Sequence, residues 1–211
     1  MVGSDGLVRG GDGLDRCWWC GRLADYQAYH DREWGRPQGQ DQALFEKIVL
    51  EGFQAGLSWL TILRKRDNFR RAFADFHMET VAGFGAGDVA RLAQDRGLIR
   101  HRGKIEAAVN NARKALDLAE EAGSLAAYIW RYEPDPANRP EPVTLSWVQA
   151  NTQCPEATAL SKDLRRRGWR FVGPTTLYAF FQSEGLVNDH LSGCHVRAEV
   201  EYARTAFTRP T

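Results

Sequence analysis

The chain has no apolar run long enough to cross a bilayer as a helix, which excludes a spanning segment of that kind. It also lacks an apolar leader of the signal-peptide type. Residues 1–15 are rich in Gly and Asp instead and are expected to be a disordered leader, with the cytoplasm as the compartment. Cysteine is scarce, at four residues in 211. In a chain of this size and setting, disulfides are not the default use for them. Net charge is nearly absent too, since 28 Lys plus Arg against 27 Asp plus Glu leaves +1. Strand-like alternation of apolar and polar residues is missing, as are repeats of solenoid length. What remains is the composition of an ordinary globular protein with one well-buried domain.

Helical periodicity dominates. One pattern runs over about 41–60, and another places Ile105, Ala108, Val109, Ala112, Ala115, Leu116 and Ala119 on one face. Shorter helices are expected over 68–76, 88–94, 156–167 and 175–183, and four prolines between Pro134 and Pro142 mark an exposed loop. The expected fold class is therefore all-α. Near-neutrality also hides clustering of the basic residues, as at Arg64–Arg66, Arg96–Lys104 and Arg165–Arg167. Such bunching suits a face turned towards phosphates, and equally the solvated surface of helices. Between two of the expected helices, Gly97 and Gly103 flank an apolar pair. A tight hairpin there would offer the backbone of Gly103 and a helix start to a phosphate, with Arg102 and Lys104 adding charge.

The stretch Glu51-Gly-Phe-Gln-Ala-Gly-Leu-Ser-Trp59 sets a carboxylate at the edge of an apolar helical face. A desolvated carboxylate needs a reason. Gly52 and Gly56 weaken a helix but allow another backbone or a ligand to approach, and Trp59 supplies a flat surface nearby. A pocket for a flat, polar, cationic ligand is one explanation. The other is a Glu at a helix end beside Lys47, with Trp59 in the core, although Lys before Glu is the poorer orientation at this spacing.

Cys17 precedes His30 by thirteen residues and His190 precedes Cys194 by four. Two thiolates and two imidazoles make a tetrahedral zinc set, here joining opposite ends of the chain across a long loop. With all four positions filled by protein, such a zinc is structural. Alternatives stay open: Cys17 and Cys20 form a C-x-x-C pair, His195 can replace Cys194, and unrelated Cys and His residues give the same spacing.

Four blocks, in order, resemble the 3-methyladenine DNA glycosylase I family. They are Arg16-Cys17 with Tyr26–Gly35, the stretch Glu51–Trp59, Arg100–Ile105, and Gly185–Cys194. The resemblance spans about residues 16–194, within an expected domain of 16–195 followed by a flexible tail over 196–211. It implies a helix-hairpin-helix glycosylase fold, a structural zinc on Cys17, His30, His190 and Cys194, and no catalytic Asp or lysine Schiff base. It further implies release of 3-methyladenine from alkylated double-stranded DNA, with Glu51, Tyr29, Tyr26, Trp34, Trp59 and Trp19 around the base.

On these residues the expected mechanism is base flipping. Trp59 stacks on the cationic base and Glu51 recognises it. Tyr29 bonds the same edge, and Tyr26 and Trp34 close the walls. Leu57 is expected to fill the gap left in the duplex. A monomer without membrane contact suits an enzyme that scans DNA. Rival readings are a zinc-stapled module that binds damaged DNA without cutting it, a zinc hydrolase of small molecules, and a glycosylase preferring 3-methylguanine.

Overall fold

The computed structural model describes residues 3–211, and apart from one short hairpin the regular structure there is helical. Strands β1 (Leu7–Arg9) and β2 (Asp15–Cys17) pair antiparallel, with Leu7 opposite Cys17. The helices are α1 (Ala24–Arg32), α2 (Asp41–Gln54), α3 (Trp59–Leu63), α4 (Arg66–Ala72), α5 (Met78–Ala82) and α6 (Ala86–Gln94). Then come α7 (Arg102–Ala122), α8 (Leu125–Trp130), α9 (Leu145–Ala150), α10 (Pro155–Arg166), α11 (Pro174–Ser183) and α12 (Arg197–Ala206).

Helix α2 is the axis of the molecule. Leu44, Phe45, Ile48, Val49, Leu50 and Phe53 are all buried, and so are Lys47, Glu51 and Gly52. A helix buried on nearly every side belongs in a core rather than on its surface. It packs against α7, α8 and α11. On α7, Ala108, Ala112 and Ala115 face inwards, and their small side chains let neighbouring helices come close. Gly52 faces Phe171, where a Cβ would sit 3.3 Å from the phenylalanine Cβ.

The helical pattern over 41–60 is interrupted. α2 stops at Gln54, Gly56 takes φ +83°, and Ser58 restarts the chain by accepting from the Thr61 amide at 3.3 Å. A positive φ suits glycine and not the residues around it. The unpaired carbonyls at the end of α2 are met from outside, since the Lys104 ammonium donates to Phe53 O at 2.9 Å and to Ala55 O at 2.6 Å.

Both ends depart from expectation. Residues 1 and 2 of the expected leader lie outside the described residues, but from Leu7 onward it forms the β1–β2 hairpin instead of remaining loose. Strands of three residues are too short to show alternation in sequence. The hairpin is held because Arg16, 4% exposed, binds Asp12 and Asp31, and the His195 amide donates to Asp15 O at 2.9 Å. The tail expected to be flexible contains α12. There Val200 is fully buried, and the Arg204 Nε donates to Gly185 O at 2.7 Å. Among the described residues no helix is long and apolar enough to cross a membrane.

Candidate active site

Helix α1 carries two sets of functional side chains. Tyr26 and Tyr29, three residues apart, share one face, while His30 is turned about 100° further round and points into a different cluster. The tyrosine face meets Glu51 from α2 and Trp59 from the start of α3. Trp19, Tyr26, Tyr29, Trp34, Glu51 and Trp59 together line one cavity of about 150 Å³, with Gln54, Ala179 and Gln182 completing it. The aromatic rings interlock: Trp19 meets Tyr26 edge-on at 5.1 Å and Trp34 at 5.0 Å, and Tyr29 lies 5.4 Å from Trp59.

Glu51 is 4% exposed, and its Oε2 has no hydrogen-bond partner. Burial pushes its carboxyl up to about 8, and Glu184 adds to the rise while Lys47 opposes it. The Trp59 Nε1–H is likewise buried without a partner. An acid and a donor, both desolvated and unpartnered, beside a flat aromatic cavity suit a flat ligand with a polar edge.

Behind this wall is the second cluster. The ligand atoms of Cys17, His30, His190 and Cys194, all buried, lie within 4.8 Å of one another. Cys194 Sγ is 3.5 Å from His30 Nε2 and 3.5 Å from His190 Nδ1, and Cys17 Sγ is 3.7 Å from His190 Nδ1. Metal bonds of ~2.3 Å to sulfur and ~2.1 Å to nitrogen, meeting at a tetrahedral angle, put S and N about 3.6 Å apart. The group therefore fits a tetrahedral metal ion. Its outer shell fits as well: His30 Nδ1 bonds Asp31 at 2.8 Å and His190 Nε2 donates to Trp34 O at 3.1 Å, which turns His30 Nε2 and His190 Nδ1 inward to the thiols, with His30 Nε2 also accepting from the Cys17 amide at 3.3 Å. Cys20 is outside the set, its thiol donating to Cys17 O at 3.2 Å. His195 instead bonds Asp31 at 3.0 Å.

The cluster and the pocket share structure. Trp34 supplies both a wall of the pocket and the carbonyl that holds His190, and Trp19 packs 5.2 Å from His30. Any ion there tethers the aromatic wall as well as the two ends of the chain.

The expected DNA contacts do not all face outward. Leu57 is 42% exposed, on the corner between α2 and α3. Arg102 is exposed at the first turn of α7, paired with Glu106 at 2.8 Å, and Gly103 is half-buried beside it. Lys104 is a correction: it is 7% exposed and spends its ammonium on the α2 carbonyls. Its backbone amide is also occupied, bonding His101 Nδ1 at 3.2 Å. A lysine at the third position of a helix is as well placed to reach inward as outward, and the open end of α2 captured it.

Lys47, Glu184, Gln182 and Asp189 were not anticipated as site residues. Gln182 lines the pocket and donates to Asp189 at 2.8 Å. Lys47 donates to the Tyr29 hydroxyl at 3.1 Å. Its position four residues before Glu51 was visible, but pairing with a glutamate 137 positions away was not.

The family model for methyladenine glycosylase matches residues 19–198. The chain is 45% identical over 181 residues to DNA-3-methyladenine glycosylase 1 of Escherichia coli (strain K12), covering 86% of this chain and 96% of the relative. It is similar to a crystal structure of a 3-methyladenine DNA glycosylase I at TM-score 0.77 and 44% identity, covering 85% of this chain and 98% of the other. A single-substitution variant of a 3-methyladenine DNA glycosylase I, in complex with 3-methyladenine, matches at TM-score 0.74 and 36% identity over 83% of this chain and 93% of that one.

Proposed function

This chain belongs to the methyladenine glycosylase family, and from that membership we propose that it is a monofunctional DNA glycosylase. It hydrolyses the N-glycosidic bond of 3-methyladenine in alkylated duplex DNA and so begins base excision repair. The observation that carries this reading is the buried, unpartnered carboxylate oxygen of Glu51 on an aromatic cavity.

Methylation at N3 leaves the adenine a fixed cation, so the bond from C1′ to N9 is already weak. The nucleotide is turned out of the duplex, and the base enters the cavity with its ring against Trp59. Lys47 lies over the Trp59 ring at 4.6 Å and is outside the cavity lining, so the base takes the face turned to the cavity. Glu51 accepts a hydrogen bond from the amino edge, and its charge is balanced by the cationic ring. Tyr29, whose oxygen already accepts from Lys47, keeps its own proton for the base. Tyr26, Trp34 and Trp19 enclose it. When C1′–N9 breaks, the bonding pair stays with the ring and discharges it; water adds to C1′ and loses its proton. Normal adenine, being neutral, gains nothing from the Glu51 charge. A cation on an aromatic face contributes about 0.5–2 kcal/mol, and the desolvated carboxylate adds to that preference.

Leu57, projecting from the Gly56 corner, fills the space the base leaves. On the DNA side the fold is a helix-hairpin-helix. Arg102 and the amide of Gly103 meet one phosphate at the start of α7. The cluster of Cys17, His30, His190 and Cys194 holds a structural zinc, whose filled coordination leaves no place for a reactive water. The protein acts as a cytoplasmic monomer.

The test is incubation with N-methylated duplex DNA and chromatographic identification of the released base. Release of 3-methyladenine is expected, in amounts that Glu51→Gln abolishes. Tight binding of methylated DNA with no base release would favour the damage-binding module instead.

A further inference from the structure

Lysine is seldom buried unless something holds it, and Lys47 is 8% exposed in the centre of α2. Its ammonium is 3.4 Å from Glu184 Oε1, 3.1 Å from the Tyr29 hydroxyl, and 4.6 Å over the Trp59 ring. Burial alone would push it towards the neutral amine, but Tyr29, Glu184 and Glu51 more than offset that and keep it protonated. Glu184 is 7% exposed, just past the end of α11. The pair forms the wall between the aromatic cavity and a separate cavity of about 250 Å³ that Lys47 and Glu184 line from behind.

The charges around Glu51 are few. Tyr26 and Tyr29 come from α1, Lys47 from α2 itself, and Glu184 from the end of α11. Further back, Glu46 is paired with Arg70 and Glu33 with Arg66. With both carboxylates ionised, the inner group of Glu51, Glu184 and Lys47 carries one uncompensated negative charge. Without Glu184, Lys47 would serve as the counterion of Glu51 and the group would be neutral without a ligand.

We propose that Lys47 and Glu184 are positioning residues that set the charge selectivity of the base pocket: Glu184 engages Lys47, so that the counterion of Glu51 must be the cationic base itself. This rests on the glycosylase reading and assigns a function to two residues which that reading leaves unused. The same ammonium fixes the Tyr29 oxygen as an acceptor, which turns its proton towards the ligand.

The two residues act on Glu51 with opposite sign. Removing Glu184 lowers the pH at which Glu51 ionises; removing Lys47 raises it. The experiment is single-turnover release of 3-methyladenine from methylated duplex DNA with enzyme in excess, followed against pH for the wild type, Glu184→Gln and Lys47→Met. The acid limb reports ionisation of Glu51. It is expected to move down in Glu184→Gln and up in Lys47→Met, each by roughly one pH unit or more. A general disturbance of the pocket would move both limbs the same way, and that result, or two unmoved limbs, overturns the proposal while leaving the glycosylase assignment intact. A wild type that releases no 3-methyladenine removes both. If Lys47→Met does not fold, the near-isosteric Glu184→Gln decides alone: a limb displaced downward supports the proposal, and one unmoved or displaced upward refutes it.

Discussion

Glu51→Gln should gain stability relative to the wild type as pH rises. In the folded chain the carboxyl is pushed up to about 8 from a usual 4.5, chiefly by burial. A raised carboxyl pKa means that folding favours the protonated form. The stability this contributes is fully present below pH 4.5 and is lost as pH rises through about 8. Each unit corresponds to about 1.4 kcal/mol. Between pH 5 and pH 8 the accumulated loss is therefore on the order of 3 kcal/mol for this one side chain. Glu51 is 4% exposed, so solvent screening discounts little of it. Glutamine has nearly the same shape and no charge to desolvate. Its amide brings its own hydrogen-bonding cost, but that cost does not vary with pH, so the informative quantity is the change in the difference between the two proteins. In a chain of this length 1 kcal/mol is worth about 2–4 °C. Thermal melts at pH 5 and pH 8 should show the Tm difference moving in favour of Glu51→Gln by roughly 6–12 °C. Parallel pH dependences would refute the claim that Glu51 is held desolvated and unsatisfied. A carboxylate desolvated in this way costs the folded protein stability once it ionises.

Two further outcomes follow from the geometry. Cys194→Ser should lower metal content and Tm together, since a serine hydroxyl is a poor replacement for a thiolate ligand; one equivalent of metal retained, measured by elemental analysis, would show that the ligand set is drawn wrongly. Lys104→Met should destabilise by about 1–3 kcal/mol in a denaturant titration, because the carbonyls of Phe53 and Ala55 lose their donor. It should leave the salt dependence of DNA binding unchanged, whereas loss of a phosphate contact would reduce the slope by about one.

Much of the site was legible because its residues are close in sequence or carry distinctive chemistry. Tyr26 and Tyr29 share a face at a spacing of three, and Glu51 stands out as a carboxylate in an apolar helix. Two Cys–His pairs at the two ends suggested a closure that the buried cluster fits. Lys104 was misplaced because a helix start attracts basic residues for two reasons, binding anions outside or capping another helix inside, and sequence alone does not separate them. The hairpin at 7–17 was missed for lack of length. The helical pattern over 41–60 concealed the turn at Gly56, because apolar spacing continues across the break while the backbone does not.

By itself the sequence determined the helical class, since periodicity is local, and its four short blocks carried the family resemblance; that resemblance, rather than spacing, implied Tyr26, Tyr29, Trp19 and Trp34 beside Glu51 and Trp59 and selected the metal ligands. Only the tertiary structure decided how charge is distributed within the pocket. Lys47 and Glu184 are 137 positions apart, and their pairing exists because α2 and the end of α11 are packed side by side. Coulomb energy depends on distance through space and on the exclusion of water, and neither quantity is written along a chain.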